Sequence, residues 1–305
     1  MNGLLKSHLA LFIVQLMYGA NYVVAKGLMP NVIGPNGFIL LRVVGAVSLF
    51  WAILSFKREK ISKKDLGLLA ICGLFGVACN QLLFFNGLML TSPMNAPVIM
   101  TMTPIIVLIL SAIYLREKIR STQIVGVIIG AIGSVFFILL NSNEGYASGT
   151  GDILIFLNAT SYSLYLVIVK PLMTRYKPLT VISWVFTFGL AYVLIWFPTI
   201  TEVSSVSWSS LDIAQIAQLL FVIVGVTFVP YLLNVYAMTK LSPAIAAVYI
   251  YLQPLLAFGF VLLFSYYNIV DYTDDMSWGK LFCAIAVFVG VFLVIKPKKN
   301  INPAR

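Results

Sequence analysis

Ten apolar stretches, each closed by a turn or a cluster of charge, run the length of the chain at approximately residues 8–28, 34–56, 66–90, 93–115, 121–140, 152–172, 180–198, 213–238, 243–265 and 277–296. Each is close to the roughly 20 apolar residues that an α-helix needs to cross a bilayer core. Strands of a transmembrane barrel would read instead as segments of about 10 residues with alternating hydrophobicity, and the stretches do not alternate. The pattern predicts an all-α membrane protein with ten transmembrane helices. The run from Leu9 follows Lys6 as a signal peptide would, but it continues without a small-residue cleavage site, so it reads as a retained first helix.

The pattern also repeats. Leu90 to Pro104, LTSPMNAPVIMTMTP, returns as Leu241 to Pro254, LSPAIAAVYIYLQP, so that Pro93 and Pro104 match Pro243 and Pro254. Tyr18 and Lys26 match Tyr162 and Lys170 in the same way, and Pro35 matches Pro178. Two repeats of five helices are expected, over residues 1–145 and 146–305. Because five is odd, the second repeat enters the membrane from the opposite face, and the repeats are expected to be inverted.

Charge gives the orientation. If ten spans alternate, all of the 20 basic residues except Lys26, Arg42 and Lys280 fall at the end where the chain begins. Lys and Arg are retained on the cytoplasmic side, so both termini are expected there and the protein in the cytoplasmic (inner) membrane. Glu144, Asp152, Glu202, Asp212, Asp271, Asp274 and Asp275 lie on the other side. The net charge of +10 is then a property of short loops and does not point to nucleic acid. Composition agrees: 61% hydrophobic, 10% charged and a mean hydropathy of +0.99, against about 25% charged in globular domains. Cys72, Cys79 and Cys283 lie in apolar stretches without metal-site spacing. They read as buried small residues, and no metal or cofactor is expected.

The residues in this order resemble a known family. The YGANYVVAK of the first helix, the Pro35 to Arg42 opening of the second, Thr91-Ser92-Pro93 with Pro104 in the fourth, Arg116-Glu117-Lys118 after it, and the two-fold repetition are similar to the EamA branch of the drug/metabolite transporter superfamily, over essentially the whole chain. The resemblance implies a ten-helix, alternating-access carrier with inverted repeats and a central cavity lined mainly by the first, third, fourth, sixth, eighth and ninth helices. Family substrates range over amino acids, nucleosides, sugars and other metabolites. One departure is Tyr267, which stands where the second repeat would carry the counterpart of Glu117, followed by the acidic Asp271 to Asp275 segment. That argues against a mechanism with symmetrical glutamates.

Polar residues within the apolar stretches are the candidate chemistry. Gln15, Tyr18, Asn21, Asn80, Gln81, Asn158, Tyr162, Tyr165, Tyr231, Asn234, Tyr249 and Gln253 would be costly against lipid, so they are expected to face inward. There they line a substrate site or hydrogen-bond between helices. Amides and phenols suit a small solute with a polar head and an apolar body, such as an amino acid. Pro104 and Pro254, about 11 residues into their helices, are candidate hinges that deprive the carbonyls of Met100 and Ile250 of their helical partners, or they are simply packed kinks. Pro230 has no proline at the matching Asn80 and makes the halves unequal. Arg42 either meets a substrate carboxylate or phosphate, snorkels outward, or binds helix-end carbonyls; since the resemblance implies a basic residue there across varied substrates, the structural role is favoured.

No Asp or Glu lies deep in a span and the one histidine, His8, stands at a helix end, which argues against an ordinary proton relay and for a facilitator or exchanger. The Gly126, Gly130 and Gly133 face of the fifth helix is a close-packing seam, either inside a monomer or in a homodimer, with Ala286 and Gly290 on the tenth as matching small residues. A membrane enzyme would need activated His, Asp, Glu or Cys groups that the spans lack, so the chain is not expected to be an enzyme. A channel or a non-transporting scaffold are the remaining alternatives.

Overall fold

A computed structural model describes residues 3–55, 59–90, 95–139, 149–266 and 278–295. The Thr91-Ser92-Pro93 turn, Glu144, Tyr267 and the Asp271 to Asp275 segment lie outside them. Among the described residues every regular element is helical. The ten segments are α1 (Gly3–Leu28), α2 (Pro35–Leu54), α3 (63–90), α4 (95–114), α5 (Ser121–Leu139), α6 (149–174, ending in a 3-10 turn at Lys170–Thr174), α7 (Pro178–Ile195), α8 (213–238), α9 (243–266) and α10 (Trp278–Ile295). Six of them are long and apolar enough to cross a membrane by length and composition, and the rest contain shorter apolar helices.

Local chemistry sets the helix starts. Pro35 and Pro178 occupy the first turn of α2 and α7, where a missing N–H costs nothing. The Ser62 hydroxyl accepts from the Asp65 N–H at the start of α3, and Asp212 forms a capping box with Gln215 at the start of α8. The N-terminus of α2 is capped from outside its own sequence. The Glu202 carboxylate, on the short helix Pro198–Ser204, accepts from the Asn36 and Gly37 N–H groups at 2.7 and 2.9 Å.

Two pairs of irregularities were invisible in the hydropathy pattern. A π-helical segment, Leu74–Ala78, interrupts α3, and another, Val222–Phe228, interrupts α8. The fourth and ninth helices are each broken. In α4, Asn95–Met100 and Thr103–Tyr114 are separate helices; in α9, a 3-10 stretch at Tyr249–Leu252 separates Pro243–Val248 from Gln253–Tyr266. Pro104 and Pro254 therefore stand in the first turn of a new helix and do not kink a continuous one. The expectation that the Ile250 carbonyl lacks a partner is also corrected: it accepts the Gln253 N–H within the 3-10 turn.

Packing is inside-out relative to a water-soluble domain. Large apolar side chains such as Ile113, Ile195 and Phe282 stand exposed on the outer surface, while Gln15, Gln81, Asn158 and Arg42 are buried. A lipid environment accounts for both. Lipid gives no hydrophobic drive between helices, so close backbone approach matters more. The α5–α10 pair shows it. A Cβ on Gly290 would lie 2.6 Å from the Gly130 nitrogen and 2.7 Å from the Gly126 oxygen. The glycine seam of α5 is thus filled by α10 of the same chain.

Candidate functional site

The broken and π-containing helices meet around a central cavity of about 80 Å³, enough for several waters or one small solute. Tyr18 and Asn21 reach it from α1, Arg42 from α2, Asn80 and Gln81 from α3, Asn158 and Tyr162 from α6, Tyr231 from α8 and Gln253 from α9. Phe84, Phe85, Met100 and Ile250 complete its wall. Apart from the Arg42 guanidinium, its lining residues are neutral.

The π segments place several of these groups. In α3 the altered turn presents main-chain oxygens sideways: the Tyr231 hydroxyl donates to the Gly76 carbonyl at 3.0 Å and the Ser161 hydroxyl to Phe75 at 2.8 Å. One turn on, the Asn158 amide donates to the Asn80 carbonyl at 2.6 Å, which leaves Asn158 Oδ1 as an acceptor without a partner. In α8, Thr227 donates to the Val222 carbonyl five residues back and accepts from Arg42 Nε, both at 2.9 Å. A regular α-turn has no five-residue step, so the π segment is what seats Thr227.

Arg42 neither snorkels nor binds helix-end carbonyls. It is 4% exposed, lies 4.6 Å over the Phe85 ring and 5.6 Å from that of Phe38, and its Nη1 has no hydrogen-bond partner. The two rings themselves meet edge to face at 5.2 Å. Asn21 Oδ1 is likewise unpartnered. Gln81 lies beside the Tyr231 hydroxyl but makes no hydrogen bond of ordinary geometry.

Four of the sequence-predicted residues do not line the cavity. Gln15 accepts from Gln253 Nε2 at 2.8 Å, and Asn234 donates to the Tyr162 hydroxyl, so each holds a lining residue from behind. The Tyr165 ring packs beside Tyr162 with centroids 6.0 Å apart. The Tyr249 hydroxyl is 2.8 Å from His8 Nδ1. Pro104, Pro230 and Pro254 are buried in the helices around the site. The sequence reading missed Phe84, Phe85 and Thr227, and it named Met100 and Ile250 only for their main-chain carbonyls. An apolar wall has no contrast in an apolar helix, and only the Thr227 hydroxyl within VIVGVTF was a signal.

Toward the basic end, hydrogen bonds tie neighbouring helices together. Lys170 Nζ donates to the Met238 and Leu241 carbonyls, joining the end of α6 to the α8–α9 turn. Glu117, after α4, lies near it; burial pushes its carboxyl above the usual range and Lys170 opposes the shift. Farther out, Asp65 accepts from Arg175 at 2.6 Å and from Tyr176 at 2.8 Å. No group of three or more His, Cys, Asp or Glu that could hold a metal occurs among the described residues.

Comparisons with known proteins agree with this architecture. The sequence profile of the EamA-like transporter family matches residues 5–139 and 149–296. An uncharacterized transporter of Archaeoglobus fulgidus is 27% identical over 87% of this chain and 90% of its own length. A protein of Streptantibioticus cattleyicolor named as a probable terminal-alkyne amino-acid exporter is 23% identical over 72% of this chain and 73% of its own. A solved crystal structure superposes with a TM-score of 0.71 at 16% identity, covering 95% of this chain and 96% of the other.

Proposed function

Since the chain belongs to the EamA-like transporter family, we propose that its central cavity binds a small amphipathic metabolite, most simply an amino acid or a solute of that kind, and carries it across the cytoplasmic membrane by alternating access. The observation that carries this reading is the cavity itself: buried amides, phenols and one guanidinium facing a space in the middle of an otherwise apolar bundle. The exporter named for amino acids is a distant relative and lends the substrate class support. The two family matches, the paired π segments and the paired breaks in α4 and α9 support two inverted repeats, 1–145 and 146–305, with both termini cytoplasmic. Pro104 and Pro254 then start the mobile halves of α4 and α9, while Pro230 marks the asymmetry of α8. The relatives are named as transporters, and the reading needs no catalytic group.

The test uses Asn80→Cys in a background lacking Cys72, Cys79 and Cys283. Asn80 lines the cavity and no hydrogen bond of its side chain holds a neighbour. A membrane-impermeant thiol reagent should label it from either face, and a transported solute should protect it. Labelling from one face alone, whatever solute is present, contradicts alternating access.

A further inference from the structure

Among the described residues, the cavity has a charge without a counter-charge. Arg42 is buried, and among the described residues the one ion pair is that of Arg175 with Asp65, at the basic end. Burying an unpaired ion is costly, and inside a membrane protein such groups pair or serve a pathway. The guanidinium is held on two sides, by Thr227 at Nε and by the Phe85 and Phe38 rings. Nη1 is left without a hydrogen-bond partner, on a residue that lines the cavity.

We propose that the transported solute carries a single carboxylate and that Arg42 is the group that receives it; this rests on the carrier reading above. A guanidinium offers parallel N–H groups that match the two oxygens of a carboxylate. Because Nε is already engaged by Thr227, the solute meets the Nη nitrogens. One cation balances one negative charge. A phosphate dianion would bring a second charge into a cavity whose other lining groups are neutral. Asn158, another lining residue, keeps Oδ1 as an acceptor without a partner while its amide bonds Asn80, and that oxygen would take an N–H or O–H from elsewhere on the solute. Phe84 and Met100 offer the apolar surface for its body.

The experiment measures the melting temperature of the purified protein with matched probes: 3-phenylpropionate, its amide, 3-phenylpropylamine and phenyl phosphate, then L-leucine with L-leucinamide and isocaproate with isocaproamide. Carboxylates should stabilise the protein and their amides, amines and phosphates should not. Arg42→Gln should weaken carboxylate binding at least about tenfold. If that variant fails to fold, the comparison of acid with amide on the unaltered protein still decides. Stabilisation confined to neutral, cationic or phosphorylated probes, equal binding by Arg42→Gln, or a panel that never responds would overturn the assignment. A neutral probe that gives saturable counterflow would remove the carboxylate inference and keep the carrier. A carboxylate that binds in an Arg42-dependent way without counterflow would do the reverse.

Discussion

Tyr165 occupies the space that a side chain on Gly76 would need. A Cβ there would fall 2.4 Å from its ring carbon Cδ2, and Tyr165 is 1% exposed beside the cavity-lining Tyr162. Gly76→Ala should therefore destabilise the fold by about 1 to 3 kcal/mol through overpacking, lowering Tm in detergent and weakening solute binding together; an unchanged Tm would show that the ring has room to yield. At this scale the polar half of the site was legible from sequence. An amide such as Gln81 or Asn158 in an apolar helix must turn from lipid, so its inward direction follows from cost alone. Whether it meets the cavity or another side chain depends on helix rotation of a few tens of degrees, which is why Gln15 and Asn234 were grouped with the residues they support. Phe85 was illegible for the opposite reason: its apolar neighbours in the sequence look like it. The depth of Arg42 was legible, but its partner was not, because Thr227 lies 185 residues away and is seated by a π turn.

At the scale of elements, hydropathy located the ten helical segments to within a few residues, except that α1 begins earlier, at Gly3. It gave no sign of what happens inside them. A π turn or a 3-10 break changes hydrogen bonding without changing which residues are apolar, so α3, α4, α8 and α9 all read as uninterrupted. The prolines were visible but their meaning shifted. At the first turn of a helix Pro104 and Pro254 cost no hydrogen bond within it, yet, lacking an N–H, neither can donate back to the residue four before it, so a continuous helix through the break in α4 or α9 would lack that bond. Pro104→Ala and Pro254→Ala should leave Tm nearly unchanged, within about 1 kcal/mol, while slowing solute flux in proteoliposomes, because alanine lets the halves fuse into one stiff helix. Full flux in both variants would reduce the prolines to packing. The glycine seam of α5 was read correctly as a close contact, and α10 fills it.

For the molecule as a whole, contacts at the basic end tie helices together: Lys170 holds the α8–α9 turn and Tyr249 meets His8. Alternating access requires those ties to open. Lys170→Met removes both carbonyl contacts and should increase the rate at which Asn80→Cys is labelled from the basic face; an unaltered rate would mean that other contacts close that end. The same logic separates a carrier from a channel. In a carrier the access of the cavity changes with the solute inside, and a buried guanidinium paired with a carboxylate is less costly than one left unpaired, so exchange should outrun net flux. The most direct measurement is counterflow in proteoliposomes preloaded with an unlabelled solute that stabilises the protein. Labelled solute should accumulate transiently above its outside concentration, saturate with concentration, and fail to accumulate in vesicles loaded with buffer alone. Uptake that rises linearly with concentration and ignores what is loaded inside would contradict a carrier built around this cavity.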